Sequence, residues 1–306
     1  MTCVIIGCGG HGRVVLDILR SADVHSVAGF LDSNEDLWGR RVDGCEVLGD
    51  LSVIERLKRD RGVDSAVVAI GDNGVRRDFS LVAERAGVVL INAIHPSANI
   101  ATNATLGRNV VVSAGALICA HCQIGDSVIL NTGSIVDHES MIGTATHVCP
   151  GARIGGRVTV EAGAFVGIGA TVIQSVRIGC EAIVGAGAVV IRDVDPLTTV
   201  VGVPAQPIKS IGDGNDLANW MVPESLLRGE LGRQTHVLNR MSGQPADGDH
   251  AVRNVGGTGS PADEPITHFV RCDDQIGRRF DAAERLTARL VATDDRVADD
   301  PSEDGQ

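Results

Sequence analysis

The 306-residue sequence contains no tyrosine, and aromatic side chains make up only 2% of it. A core built around large rings is excluded, so aliphatic and small side chains have to fill the interior. Lysine is nearly absent, with two residues against 25 arginines, a skew that reflects base composition more than chemistry. No apolar run reaches the roughly 18–20 residues of a membrane span. No basic segment followed by a cleavable apolar stretch opens the chain. The eight cysteines are then expected to be reduced thiols in a cytoplasmic protein. The net charge of −12 argues against nucleic acid or an anionic membrane as the main partner. Residues 213–306 carry −8 of that charge, with 18 acidic and 10 basic side chains. No G-x-S-x-G elbow, Walker loop or H-E-x-x-H motif is present.

What is present is a repeat. From Ile94 every sixth residue is Ile, Leu or Val, through Ile100, Leu106, Val112 and so on to Val190, seventeen hexads without interruption. Four residues after each aliphatic stands a small or β-branched residue, among them Ala98, Cys122, Ser134, Thr146 and Val194. A period of six belongs neither to a helix nor to a simple strand. It is the period of a solenoid with flat faces one hexad long, three faces to a coil. Seventeen hexads make between five and six coils. Small inward residues are needed because three meet near the coil axis, where larger ones would overpack. Glycine directly follows the aliphatic in seven hexads (Gly107, Gly125, Gly143, Gly155, Gly167, Gly179 and Gly185), read here as relief of corner backbone strain.

Ahead of the repeat, strands alternate with helices: strands at 2–7, 26–31, 65–70 and 88–92, and helices at 11–21, 51–61 and 75–87. That alternation predicts a small parallel sheet with helices on its faces. Gly7, Gly9 and Gly12 match G-x-G-x-x-G, and Asp32 follows twenty residues after the last glycine. Such a loop lets a pyrophosphate approach the backbone at a helix N-terminus. The segment 1–93 is half the size of a full dinucleotide sheet, which suits a nucleotide sugar better than NAD. After Asp195 an exit loop is expected at 196–212. The region 213–306 reads as an acidic tail, disordered or partly helical, with amphipathic helices at 216–231 and 280–292.

Within the repeat, Asp137-His138-Glu139 sets a histidine between two carboxylates, and His147 follows nine residues later. Histidine is suited to accept a proton near neutral pH, and an adjacent carboxylate orients it and raises its basicity. Nine residues is half a coil, so the two histidines are expected as near neighbours on one wall. Cys119-Ala120-His121-Cys122 has a metal-like spacing, but the register assigns Cys122 to the small inward position, and no metal is expected.

Taken in order, VIIGCGGHGRVVLDIL, GFLD at 29–32, AIGDN at 69–73, IHPSA at 94–98, ILNTGSIVDHESMIG at 129–143, HVCPGA at 147–152 and VVGVPA at 200–205 resemble the sugar O-acyltransferase family. That family includes sialic acid O-acetyltransferases and N-acetyltransferases acting on UDP- or GDP-linked amino sugars. The resemblance covers about residues 2–208. It implies a Rossmann-like α/β domain followed by a left-handed parallel β-helix, in a homotrimer that binds acetyl-CoA and a nucleotide sugar. It further implies His138 as catalytic base, Glu139 as support for its basicity, and His147, Ile168 and Ala186 as acetyl-CoA contacts. Gly9, Gly10 and His11 match phosphate and nucleotide contacts, with Asp32, Ser33 and Gly71 beside the nucleotide or sugar. UDP-using relatives often carry Asp-Asp where this chain has Asp32-Ser33. N-acetylation of a nucleotide-linked amino sugar is the leading expectation. O-acetylation of a sialic-acid-like sugar and a non-catalytic solenoid scaffold are the alternatives. An oxidoreductase would need a second half-sheet, so NAD is not expected.

Overall fold

The computed structural model describes residues 1–210. The helices expected at 216–231 and 280–292 lie outside the described residues. The chain opens as strand β1 (Thr2–Ile6), helix α1 (Gly10–Ala22) and strand β2 (Ser26–Leu31). A two-strand hairpin, β3 (Arg41–Val42) and β4 (Cys45–Glu46), comes next. Then follow α2 (Ile54–Arg61), β5 (Val63–Val68), α3 (Asn73–Arg85) and β6 (Val89–Leu90). The sheet is parallel in the order β2-β1-β5-β6. Apart from the hairpin, sequence and structure agree on these elements to within a few residues.

The hairpin falls outside the strand–helix alternation, yet its turn carries a local signal. Asp43 and Gly44 both have positive φ (47° and 78°), as a two-residue turn of the Asp-Gly type requires. Alternation along β1 sends Cys3 and Ile5 toward α1, where Val15, Leu16, Ile18 and Leu19 pack. Val4 and Ile6 face the other way, toward Leu57, Phe79 and Ala83 of α2 and α3.

The repeat folds as a three-sided parallel β-solenoid of about six coils, each strand two residues long. From Ala93–Ile94 onward, two faces have six such strands and the third has five. Pairing steps by eighteen residues, as in Val111↔Ile129, Ile129↔His147 and His147↔Phe165. The aliphatic of each hexad points inward: Val112, Ile118, Leu130, Val136, Ile142, Val148 and Val166 are all fully buried. Each is worth roughly 1.5–3 kcal/mol on burial, which offsets the absence of aromatic rings.

The segment expected as an exit loop carries two more strands. Thr198–Val201 extends the widest face in parallel, and Gln206–Ser210 folds back on it antiparallel. The sheet domain docks on this same face. Val111 and Ile129 project outward into the α1 cluster, so α1 lies between the sheet and the solenoid.

The seven glycines after the inward aliphatics do not serve strained backbone, contrary to the sequence reading. None has a positive φ. An added Cβ would instead strike the next coil, 2.8 Å from Thr144 N at Gly125 and 2.6 Å from Ala162 N at Gly143. Close coil stacking, not turn geometry, demands glycine there. The left-handed corner positions are often held by other residues, including Asn109, His121, Glu139 and Arg157.

Candidate active site

Two groups of polar side chains stand out, on different edges of the prism. The first lies where the sheet domain meets the widest face. Helix α1 begins at Gly10 after an extended Gly9, with no side-chain cap and no acidic residue in its first turn. Its N-terminal amides are therefore open to an anion. Gly7 has φ 97°, and a Cβ on it would lie 2.9 Å from Ala69 O. A Cβ on Gly12 would overlap Gly7 O, so both are bound to be glycine by helix–strand closeness. Asp32 ties the loop down: its Oδ2 accepts the Cys8 amide at 2.9 Å and its Oδ1 the Asn34 amide at 2.9 Å. Asp32 and Ser33 line a crevice with Gly7, Asp50 and Ile70 at the carboxyl ends of the strands. A second cavity, of about 420 Å³, runs from Gly10 and Arg13 to His95, Ser113 and Thr132 of the solenoid.

Across this junction His11 of α1 meets His147 of the solenoid, their ring centroids 6.4 Å apart. The Phe165 ring packs edge-on against His147 at 5.3 Å. The tautomer of His147 follows from its neighbour. Asn131 Oδ1 accepts the Thr132 amide at 2.8 Å, which turns its Nδ2 toward His147 Nε2 at 3.1 Å. An amide NH₂ only donates, so Nε2 must be the acceptor and Nδ1 carries the proton. That Nδ1 is buried and has no hydrogen-bond partner, as is His11 Nε2. Burial, reinforced by the Arg76 cation, pushes the His147 pKa down to about 3 and that of His11 to about 4. The Gly71 backbone acts weakly the other way on His147 without a bond of normal geometry to Nδ1. Both rings are thus neutral at pH 7, each with one buried nitrogen that has no hydrogen-bond partner.

Ile168 and Ala186 stand exposed eighteen residues apart on the adjoining edge, Ile168 at 61%. Ile168 and Ala186 share one corner column, three residues beyond the strand column of His147 and Phe165.

The second group is His138-Glu139. The expectation that His138 and His147 share one wall is corrected by the topology. His138 occupies the corner between the six-stranded and five-stranded faces, whereas His147 lies on the third face. Half a coil around a triangle leads from a corner to the opposite side. His138 is half exposed, its Nδ1 3.7 Å from Glu139 Oε2, and Glu139 is also 4.0 Å from Arg157 Nη1. Glu139 takes the left-handed corner conformation, φ 59°. Asp137 Oδ1 accepts the His138 amide at 2.7 Å.

The His138 ring rests on Gly156, one coil further along. A Cβ there would be 2.5 Å from Nε2. Gly155 N–H is engaged by Val172 O at 2.9 Å. Cys122 is fully buried with its thiol on Asp137 O at 3.1 Å, the inward place its register predicts, while Cys119 is partly exposed.

Sequence reasoning missed Asn131 and Arg76. Arg76 was detectable: it falls on the buried stripe of α3 with Phe79, Ser80 and Ala83, a charge where an apolar residue is the norm.

A stacked-hexad solenoid joined to a small parallel sheet with a glycine-rich loop defines a two-part hexapeptide-repeat protein. Residues 2–81 match the family described as PglD N-terminal domain. A histidine-to-alanine variant of GDP-perosamine N-acetyl transferase from Caulobacter crescentus, in complex with CoA and GDP-perosamine, shares 42% identity and a TM-score of 0.65. That match spans 69% of this chain and 98% of that one. The acetyltransferase domain of PglB from Neisseria gonorrhoeae, in complex with acetyl coenzyme A, is 31% identical with a TM-score of 0.63, over 68% of this chain and 98% of that one. The UDP-N-acetylbacillosamine N-acetyltransferase of Bacillus subtilis is 37% identical over 114 residues, 36% of this chain and half the length of that relative. The chain belongs to the hexapeptide-repeat sugar acyltransferase family that contains the nucleotide-amino-sugar N-acetyltransferases. Among the described residues, no helix is long and apolar enough to cross a membrane.

Proposed function

We propose that the protein transfers the acetyl group of acetyl-CoA to the amine of a nucleotide-linked amino sugar, in the cytoplasm, for surface-glycan synthesis. Residues 1–93 hold the nucleotide sugar, with Gly9, Gly10 and His11 at the diphosphate and Asp32, Ser33 and Gly71 beside nucleotide or sugar. Residues 94–195 supply the acetyl-CoA groove along His147, Ile168 and Ala186. The observation that carries this reading is the His11–His147 contact, which brings the glycine loop of the sheet domain next to the solenoid wall. The unpartnered His147 Nδ1–H fits a carbonyl acceptor, and the exposed Ile168 fits an apolar chain. The relatives in hand act on amino sugars, which favours N- over O-acetylation.

His138 acts as the base. It takes a proton from the attacking amine and returns it to the departing thiol, so no proton is left over. Glu139, 3.7 Å from the His138 Nδ1, orients the ring. The developing oxyanion needs a fixed donor. Gly155 N–H is spent on Val172, so Gly156 N–H, next to the ring, takes that role. Since His138 and His147 lie on different sides of one prism, the working site joins His138 of one protomer to the His147 cleft of the next, in a homotrimer.

Two measurements test this. Thiol release from acetyl-CoA is followed with a panel of UDP-, GDP- and CMP-sugars; release with a sialic acid and with no amino sugar overturns the substrate class. His138→Ala and His147→Ala chains are refolded together. A two-protomer site restores about a quarter of wild-type activity by random mixing in a cyclic trimer. No restoration refutes the shared site.

A further inference from the structure

Arg76 is fully buried on α3, and among the described residues no carboxylate pairs with it. A buried guanidinium is costly, and an apolar residue of similar size is often as stable in such a place. All three of its nitrogens are used, and on two different parts of the protein. Nη1 donates to the carbonyls of Ile70 at 2.9 Å, Gly71 at 3.1 Å and Asp72 at 3.3 Å. Nη2 reaches Asn73 Oδ1 at 2.8 Å, Ala145 O at 2.9 Å and Thr146 O at 3.4 Å. Nε donates to Ser127 O at 2.7 Å. One fork therefore holds the loop after β5, which contains Gly71, and the solenoid corner that leads directly into His147. Asn73 adds a second clasp through its amide to Gly163 O and Ala164 O.

We propose that Arg76 is a positioning residue that sets the spacing between the Gly71 loop of the nucleotide-sugar subsite and the His147 subsite for acetyl-CoA. This rests on the reading given under Proposed function. A planar fork with five N–H donors can satisfy carbonyls on both sides at once, which the point charge of lysine cannot. The charge has a further use. The ionisable groups around it are His11 from α1, His147 from the solenoid and Asp72 from its own loop, and the cation disfavours protonation of both rings. The cleft thus keeps two neutral imidazoles beside an anion-binding helix terminus.

The test compares Arg76→Met and Arg76→Lys with wild type by thermal unfolding, by separate KM values for each substrate, by kcat, and by NMR titration of the histidine rings. In Arg76→Met the His147 and His11 midpoints rise, and kcat falls while the nucleotide-sugar KM rises, each by about tenfold, the worth of one lost charged hydrogen bond. In Arg76→Lys the midpoints stay low because the charge remains, yet that KM still rises. A folded Arg76→Met with unchanged titrations and constants within about twofold of wild type overturns the proposal. Should Arg76→Met not fold, Arg76→Lys decides, and unchanged KM and kcat refute it. Absence of acetyl transfer in wild type refutes the functional reading instead, and the histidine titrations still judge Arg76.

Discussion

Gly156→Ala isolates the proposed base from the fold that carries it. Gly156 has no positive φ, so alanine meets no backbone obstacle. Its Cβ would lie 2.5 Å from His138 Nε2, 2.7 Å from Cε1 and 3.1 Å from Cδ2, where ordinary contact begins at 3.4 Å. The ring must move by about 0.9 Å to clear it. His138 is half exposed and can swing outward, so the fold loses little. Catalysis loses much more, because a misplacement of about 1 Å costs roughly 100-fold in rate, or about 2.7 kcal/mol. The expected result is kcat down by about two orders of magnitude, with the thermal midpoint and acetyl-CoA affinity almost unchanged. Gly155→Ala is the control: its Cβ would be 2.7 Å from Gln174 N, in backbone that cannot yield. That variant should lose thermal stability. Thiol release with the best sugar measures the first effect, and calorimetry the second. If Gly156→Ala keeps kcat within about threefold of wild type while still folded, His138 is not the base in the pose described.

Three further outcomes are expected. His138→Ala lowers kcat by about 10²–10⁴ with little change in acetyl-CoA binding, and retained turnover assigns the base elsewhere. Asn131→Asp replaces the amide that donates to His147 Nε2 with a group that only accepts, so the ring must carry its proton on Nε2 and its pKa rises from about 3. Imidazole ¹⁵N shifts read both changes, and an unaltered spectrum contradicts the tautomer assigned here. His11 and His147 have folded values of about 4 and about 3, against 6.5 when unfolded. Below pH 6.5 the unfolded chain binds more protons, so stability falls with pH until those folded values are reached, by up to about 1.4 kcal/mol per pH unit for each ring. Thermal midpoints between pH 7 and pH 4 check this, and a His11→Phe, His147→Phe double variant should flatten the slope.

The architecture was legible because its signals are local. The hexad register alone assigned Cys122 to the interior, since a period that never slips fixes which side chain points inward at every coil. Strand and helix periodicity in 1–93 located the sheet elements for the same reason. Asp43-Gly44 was equally local and was overlooked. The seven hexad glycines show the limit of such reading. Their spacing is plain, but its cause is a stacking contact with the following coil and not strain at their own corner. Terminal strands 198–201 and 206–210 lie beyond the last hexad, and their pairings, sixteen residues back to Ile183 and with each other, leave the eighteen-residue step.

The sequence by itself determined the period, the inward residues and the glycine loop, and through resemblance it singled out His138, Glu139 and His147 as candidates. Only the tertiary structure decided which of these meet. Three-fold winding puts positions half a coil apart on opposite sides, so His138 and His147 do not meet within one chain. Docking of the sheet domain on the widest face brings His11 to His147 and buries Arg76 between them. The contacts that cross from the sheet domain to the solenoid, His11 with His147 and Arg76 with Ser127 and Ala145, join residues 51 to 136 positions apart, and no local pattern specifies such pairings.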